Sequence, residues 1–341
     1  MRNFLDHRPR VFSGIQPSGT LHLGNYLGAM RPWVNQQHER EAYFCIVDMH
    51  ALTVLHEPAM LRRLTYEVAA LYLAVGLDPG HTTIFVQSHV PAHAECCWIL
   101  NCMTPLGWLE RMTQFKAKAA ARISVSTGLL DYPVLQAADI LLYDADEVPV
   151  GEDQRQHIEL ARDIATRFNQ RYGHTFVPPR ATMPERGARV RAFNDPTRKM
   201  SKSEAHMRGH AVRLIDEPDV IRDVIQRAVT DAGREIVFSD APEKAGVNNL
   251  LEIYELLTHQ SRHAIVEHFK GKGYADLKRE VAEVVIEALR PIQVRYRQLI
   301  DESSHLERIL LDGAERARAV AEPKIQEIKR KVGFIVMSSA H

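Results

Sequence analysis

Phe12-Ser13-Gly14-Ile15-Gln16-Pro17-Ser18-Gly19-Thr20-Leu21-His22-Leu23-Gly24-Asn25 reads as a strand that runs into a glycine-rich turn and then opens a helix. Such a turn carries backbone N–H groups and a helix N-terminus toward anionic phosphates, and its glycines let a nucleotide approach the main chain with no Cβ in the way. His22 and Asn25 add side-chain donors on one face of the first helical turn. Turns of this kind also occur in sheets that bind no nucleotide, so the motif alone leaves both readings standing.

Outward from this turn, the N-terminal half alternates short β-rich runs with longer helical ones, the pattern of a parallel sheet with crossover helices. Val11 to Ser13, Tyr43 to Asp48, Thr82 to Gln87 and Glu147 to Val150 read as strands. Pro58 to Val75 has helical periodicity with a proline in its first turn, and Gly76-Leu77-Asp78-Pro79-Gly80 ends it. From about Thr175 to Lys199 the composition turns to Pro, Arg, Gly, Asn and Asp, which reads as a connecting loop. Beyond Asp216 the chain is largely amphipathic helix, including Gly273 to Ile300 and Gly313 to Lys331. The expected fold class is α/β, with a Rossmann-type parallel-sheet domain over 1–185, a linker and mobile loop over 186–206, and a mainly α-helical C-terminal domain over 207–341. The last helices of that domain can pack back on the first.

A chain of 341 residues with 45% hydrophobic content can bury a core for two domains. Lys plus Arg and Asp plus Glu both total 43, so no net field attracts a polyanion and any nucleic-acid contact must come from local patches. The first residues carry no apolar signal segment, and no run of about eighteen apolar residues occurs, so the expectation is a cytoplasmic protein with no membrane association. Cys45, Cys96, Cys97 and Cys102 lack the paired spacing of a zinc knuckle and read as reduced core thiols; no metal site is expected.

Two further segments carry chemistry. In Arg198-Lys199-Met200-Ser201-Lys202-Ser203, two lysines flank small residues just after the loop region. Mobile cations can neutralise phosphate charge that develops in a transition state, although most short basic runs are solvated loops. Asp131-Tyr132-Pro133-Val134-Leu135-Gln136-Ala137-Ala138-Asp139 is followed by Val148-Pro149-Val150-Gly151-Glu152-Asp153-Gln154. On a helix after Pro133, Tyr132, Gln136 and Asp139 share a face, so an amide and a carboxylate project together from an apolar segment. The carboxylate serves either as a structural pairing group or as an acceptor for a ligand N–H or O–H.

The order of these motifs resembles that of class I aminoacyl-tRNA synthetases: His22-Leu23-Gly24-Asn25 is similar to the "HIGH" signature, and an uninterrupted Lys199-Met200-Ser201-Lys202-Ser203 follows. Within that class, Gly14 to Gly19, Phe44-Cys45-Ile46-Val47-Asp48-Met49-His50-Ala51, Arg111-Met112-Thr113-Gln114-Phe115-Lys116, Gly151-Glu152-Asp153-Gln154 and Ala228-Val229-Thr230-Asp231 resemble the bacterial tryptophanyl-tRNA synthetases over nearly the whole chain.

The resemblance implies a two-step reaction on L-tryptophan, ATP with Mg2+ and tRNA(Trp), by a homodimer whose interface is built from the catalytic domains. It implies that Gln16, Ser18, His22, Gly24, Asn25, Gly151, Asp153 and Met200 bind ATP, with Mg2+ held mainly by the phosphates. Lys199, Lys202 and Lys118 would stabilise charge moving onto pyrophosphate, Asp153 would hold the ribose, and Gln16 would sit between the carboxylate and the α-phosphate. Tyr132 and Gln154 would bind the α-ammonium, Asp139 would accept the indole N–H, and Phe12, Gly14, His50, Gln136, Val148 and Val150 would line the pocket. Gln136 departs from the methionine common in these enzymes, and its expected role is to pack through its methylenes. The helical domain would read the anticodon, through Lys270, Lys272, Lys278 and Arg279 or through Lys324, Lys329, Arg330 and Lys331.

Tyrosyl-tRNA synthetases share the fold and resemble Leu135-Gln136-Ala137-x-Asp139, but they usually carry a tyrosine where this chain has Phe12. A non-catalytic paralogue would have no use for groups aimed at a departing pyrophosphate. A nucleotidyltransferase of similar fold would need neither the amino-acid pocket nor the long helical domain.

Overall fold

Among the described residues the first half of the chain forms β1 (Arg10–Ile15), α1 (Leu23–Asn25), a π turn (Tyr26–Met30), α2 (Arg31–Gln36), β2 (Glu41–Ile46), α3 (Asp48–Ala51), α4 (Pro58–Ala74), β3 (Thr83–Val86), α5 (Ala92–Asn101), α6 (Leu106–Glu110), α7 (Thr113–Ala120) and α8 (Thr127–Leu141). Then follow β4 (Glu147–Pro149), α9 (Arg155–Tyr172), β5 (Arg180–Thr182), α10 (Pro218–Gln226), α11 (Ala245–Thr258), α12 (Arg262–His268), α13 (Tyr274–Asp301) and α14 (Ser303–Val332). This computed structural model describes residues 8–54, 57–120, 125–183, 190–202, 204–205 and 207–336, with the backbone alone at 117–120. The expected boundary at 185/186 lies outside the described residues.

The strands pair in parallel in the order β3-β2-β1-β4-β5. The chain builds outward from β1 to β3 and then crosses back to β4, so the order reverses between β1 and β4. A crevice opens at such a reversal, beyond the carboxyl ends of the strands, and both the Gly14 turn and the Gly151 segment leave the sheet there.

Both faces of the sheet are covered, which is why its strands read as apolar runs. Ala42, Phe44, Ile46, Ile84 and Val86 face a core shared with α4, α10, α11 and α13. Tyr43, Cys45, Phe85, Phe12 and Val148 face the other core, against α5, α8, α9 and α14. The final helix lies along the edge strand β3. A Cβ on Gly313 would stand 1.8 Å from the Ile84 carbonyl oxygen, so only glycine permits this approach. The Arg316 guanidinium donates to the Thr82 carbonyl at 3.1 Å, and Arg318 to that of His89 at 2.9 Å. No helix among the described residues is long and apolar enough to cross a membrane.

Several expectations need correction. Arg180–Thr182 is a strand inside the stretch read as loop; its three residues are too few to show alternation, and its partner is β4, over thirty positions back. Pro133 lies inside α8 rather than before it, and the helix continues although Pro133 has no N–H to give the turn behind it. The last helix begins at Ser303, not Gly313, which is one of its buried interior residues. Of the four free thiols Cys45 and Cys96 are buried, whereas Cys97 is half-buried and Cys102 exposed.

Candidate active site

β1 ends at Ile15 because the chain must reverse at the crevice. The Ser18 N–H closes the turn on the Gln16 carbonyl at 2.8 Å, and Gly19 adopts φ +69°. A Cβ at Gly19 would approach the Lys202 carbonyl oxygen to 2.9 Å, so this turn is fitted against the lysine loop. His22 then caps α1: its Nδ1 accepts from the Asn25 N–H at 3.3 Å, while Asn25 Oδ1 accepts from the His22 N–H at 3.1 Å. An accepting Nδ1 puts the ring proton on Nε2. Burial, together with the charges of Lys202, His210 and Lys199, lowers the His22 pKa to about 3, so the ring is neutral and presents an N–H. The helix continues through the π turn, where the Arg31 N–H reaches the Tyr26 carbonyl just before Pro32, which has no N–H to donate.

The lysine loop is held from both sides. Ala192 N–H donates to the Arg198 carbonyl at 3.0 Å, and Asp195 Oδ1 accepts from the Thr197 N–H and hydroxyl, which turns the chain at Asn194-Asp195-Pro196. Met200 is buried beside Gly24. Lys202 Nζ donates to the Gln16 carbonyl at 3.2 Å, and burial pushes its pKa down to about 7. Lys199 Nζ lies 3.4 Å from Asp153 Oδ1, an exposed pair that a ligand anion can separate at little cost. Burial resists ionisation of the Asp153 carboxyl, but Gln154 and Lys199 hold its pKa below the usual value; the Gln154 amide donates to Oδ2 at 3.1 Å. The three segments singled out in the sequence therefore meet at the crevice.

Asp139, 1% exposed, accepts three hydrogen bonds. Gln87 Nε2 reaches Oδ1 at 2.7 Å, His93 Nδ1 the same oxygen at 2.6 Å, and His50 Nε2 reaches Oδ2 at 2.8 Å. Burial works against its ionisation, yet the bonds and charges of His50 and His93 bring its pKa down to about 2. It is an acceptor only. Gln16 joins this group to the crevice, its Nε2 donating to the His50 carbonyl at 2.8 Å. Phe12 is buried and stacks on Tyr143 with ring centroids 5.4 Å apart. The Tyr132 ring meets His50 edge-on at 6.2 Å, and its hydroxyl lies 3.0 Å from His157 Nε2. Val148 is buried, Val150, Gln136 and Gln154 are half-buried, and Gly14 has no room for a Cβ beside Val47.

The side chain of Lys118 and residue Ser203 lie outside the described residues. The sequence reading missed His93, Gln87, Tyr143, His157 and His210. His210 is 1% exposed, and its Nε2 accepts from the Ser201 N–H at 3.1 Å in the middle of the lysine motif. A glycine before it was its one local signal. Among the described residues no group of three or more His, Cys, Asp or Glu side chains could hold a metal ion.

Of the two basic clusters on the helical domain, the second does structural work. Buried Lys324 pairs with Asp144 at 2.8 Å, Lys329 with Glu95 at 2.7 Å, and Lys331 donates to Thr175, so these lysines fasten α14 to the sheet side. In the first cluster Lys270 and Arg279 make exposed i,i+3 pairs with Glu267 and Asp276, and Lys272 pairs with Glu280 at 2.8 Å.

The family model of the class I tRNA synthetases (W and Y) matches residues 5–290. The chain is 53% identical over 327 residues to a tryptophan–tRNA ligase of Caldanaerobacter subterraneus subsp. tengcongensis, covering 96% of this chain and 99% of the relative. Its structure is similar to the crystal structure of tryptophanyl-tRNA synthetase from Mycoplasma pneumoniae, with a TM-score of 0.88, 33% identity, and 96% of this chain and 99% of that one covered. It is also similar to that of the Campylobacter jejuni enzyme complexed with ADP and tryptophan, at a TM-score of 0.83 and 36% identity over 95% of this chain and all of the other. With a parallel sheet that reverses its order at a nucleotide-type turn, and with relatives alike over nearly its full length, the chain belongs to the tryptophan–tRNA ligase family of the class I tRNA synthetases.

Proposed function

We propose that this ligase activates L-tryptophan with ATP and esterifies the adenylate to the 3′ end of tRNA(Trp), with the chemistry set in the crevice between β1 and β4. The observation that carries this reading is that Gln16 touches both halves of the site. Its carbonyl accepts from Lys202, on the phosphate side, and its amide donates to His50, which in turn holds Asp139.

In the first step a tryptophan carboxylate oxygen bonds to the α-phosphorus, and the bond to pyrophosphate breaks. Charge builds on the departing phosphates, where Lys199 and Lys202 and the neutral His22 Nε2–H can meet it. Burial disfavours the Lys202 ammonium and an anion beside it favours it, so nucleotide binding strengthens the charge on the loop. Ser18, Gly24, Asn25, Gly151 and Met200 frame the nucleotide, and Asp153, released from Lys199, takes the ribose. Magnesium would arrive on the phosphates of ATP and would supply further neutralisation of their charge beside Lys199 and Lys202. In the second step the terminal ribose hydroxyl replaces AMP at the carbonyl carbon.

On the amino-acid side, indole offers one N–H and a broad apolar face. Asp139 supplies the acceptor, Phe12, Gly14, His50, Gln136, Val148 and Val150 the slot, and Tyr132 and Gln154 the ammonium contacts. The helical domain binds tRNA through Lys270, Lys272, Lys278 and Arg279. A second copy of the chain covers apolar side chains exposed on the catalytic half, among them Leu52, Trp98 and Leu106. The cytoplasm, where the thiols stay reduced, is the place of action. ATP/pyrophosphate exchange with each of the twenty amino acids tests the reading: exchange confined to tryptophan supports it, and exchange with tyrosine, or none at all, overturns it.

A further inference from the structure

A carboxylate has about four acceptor positions, two on each oxygen. At Asp139, Oδ1 is filled by Gln87 and His93, and Oδ2 carries His50 alone. One position is left, on the oxygen nearest His50. His93 is fully buried on α5, and nothing in the two-step reaction calls for a titratable group there. Its Nδ1 lies against Asp139, and its Nε2 lies 2.9 Å from the Tyr143 hydroxyl. Asp139 is ionised, so Nδ1 donates to it, and Nε2 shares a hydrogen bond with the Tyr143 hydroxyl. Tyr143 is in turn fixed by stacking on Phe12 and by its contacts with Tyr43 and Phe85.

We propose that His93 is a specificity-determining positioning residue, locked by Tyr143, which occupies Asp139 Oδ1 so that the site keeps one accepting position and rewards a substrate whose ring brings a single hydrogen-bond donor to it. This rests on the reading that Asp139 receives the indole N–H. Without His93, the carboxylate loses a short charge-assisted bond and can turn, and its free positions take water as readily as substrate. His93 touches no substrate itself.

The test is ATP/pyrophosphate exchange on the full-length chain with tryptophan and with 3-(benzothiophen-3-yl)alanine, an isostere with sulfur in place of N–H. The readout is the ratio of the two kcat/KM values. Wild type should prefer tryptophan by about a hundredfold or more, as sites built to bond an N–H do. In His93→Phe tryptophan should lose most of that preference, about tenfold or more, while the isostere is little changed. His93→Asn keeps a donor near the Nδ1 position and should restore the ratio in large part. Tyr143→Phe keeps the ring and the core volume and should lower the ratio by a few-fold; it carries the test alone if His93→Phe does not fold. Ratios that stay at the wild-type value while both substrates weaken together would overturn the proposal and leave His93 a packing residue. A wild type that does not tell the two substrates apart would instead overturn the underlying reading of Asp139.

Discussion

Replacing His22 with asparagine is expected to remove a specific part of the acid sensitivity of this fold. The folded pKa of His22 is about 3, against 6.5 for the free side chain, because the ring is buried and faces Lys202, His210 and Lys199. The depressed value belongs to a base, so the unfolded chain binds the proton first and stability falls as pH drops below the unfolded value, the loss being complete only near pH 3. Between pH 7 and pH 5 the unfolded state takes up most of one proton and the folded state almost none. At about 1.4 kcal/mol per unit this removes roughly 2 kcal/mol of unfolding free energy. Asparagine is a good helix N-cap and keeps the reciprocal cap with Asn25, so His22→Asn separates titration from capping. The assay is urea unfolding of both proteins at pH 7 and pH 5, followed by fluorescence. The wild-type midpoint should fall further than that of the variant, by an amount equivalent to about 2 kcal/mol. Equal shifts in the two proteins would refute the reasoning, and would mean that the ring is protonated in the folded state or that the turn opens to solvent before the sheet unfolds.

Asp139→Asn places an N–H2 where three donors converge, so tryptophan kcat/KM should fall about hundredfold while the KM for ATP stays within about twofold, as read by pyrophosphate exchange. His210→Ala removes the acceptor of the Ser201 N–H and should lower kcat for adenylate formation about tenfold with little change in tryptophan KM, whereas His210→Gln, which offers an amide oxygen, should recover part of it. Gly313→Ala sets a methyl against the Ile84 carbonyl and should destabilise the chain by about 3 kcal/mol or more, visible in thermal melts. Charge reversal at Lys270 and Lys272 should weaken tRNA charging while sparing pyrophosphate exchange; equal loss of both activities would remove that patch from the tRNA path.

What the chain discloses in one dimension follows the range of the interactions involved. The turn from Gly14 to Asn25 was legible because its glycines, its cap and its strand are local to a dozen residues, and the same holds for the proline that opens α4. Arg180–Thr182 was not, since a three-residue strand is made by its neighbour and not by its own pattern. Asp139 was visible as a polar residue in an apolar helix, but its donors come from the turn just after β3, from α5 and from α3, between 46 and 89 positions away, and no spacing rule links them. His210 escaped for the same reason: a histidine nine residues past Ser201 looks like any other until the loop folds back on it. Lys324, Lys329 and Lys331 misled in the opposite direction, since a run of cations reads as a surface for nucleic acid when its acidic partners, Asp144 and Glu95, lie in the other half of the chain.

The last helix closes the edge of the first-built half of the sheet, and this sets the order in which the molecule can be completed on the ribosome. β3 leaves the exit tunnel more than two hundred residues before Gly313 does, so throughout that interval the Thr82 carbonyl and the Ile84 backbone belong to an open sheet edge. An open edge is a template for pairing with another nascent chain. Synthesis rate thus becomes a determinant of yield, and a stall or truncation between α13 and α14 would release a chain with a finished nucleotide turn but an unsealed sheet.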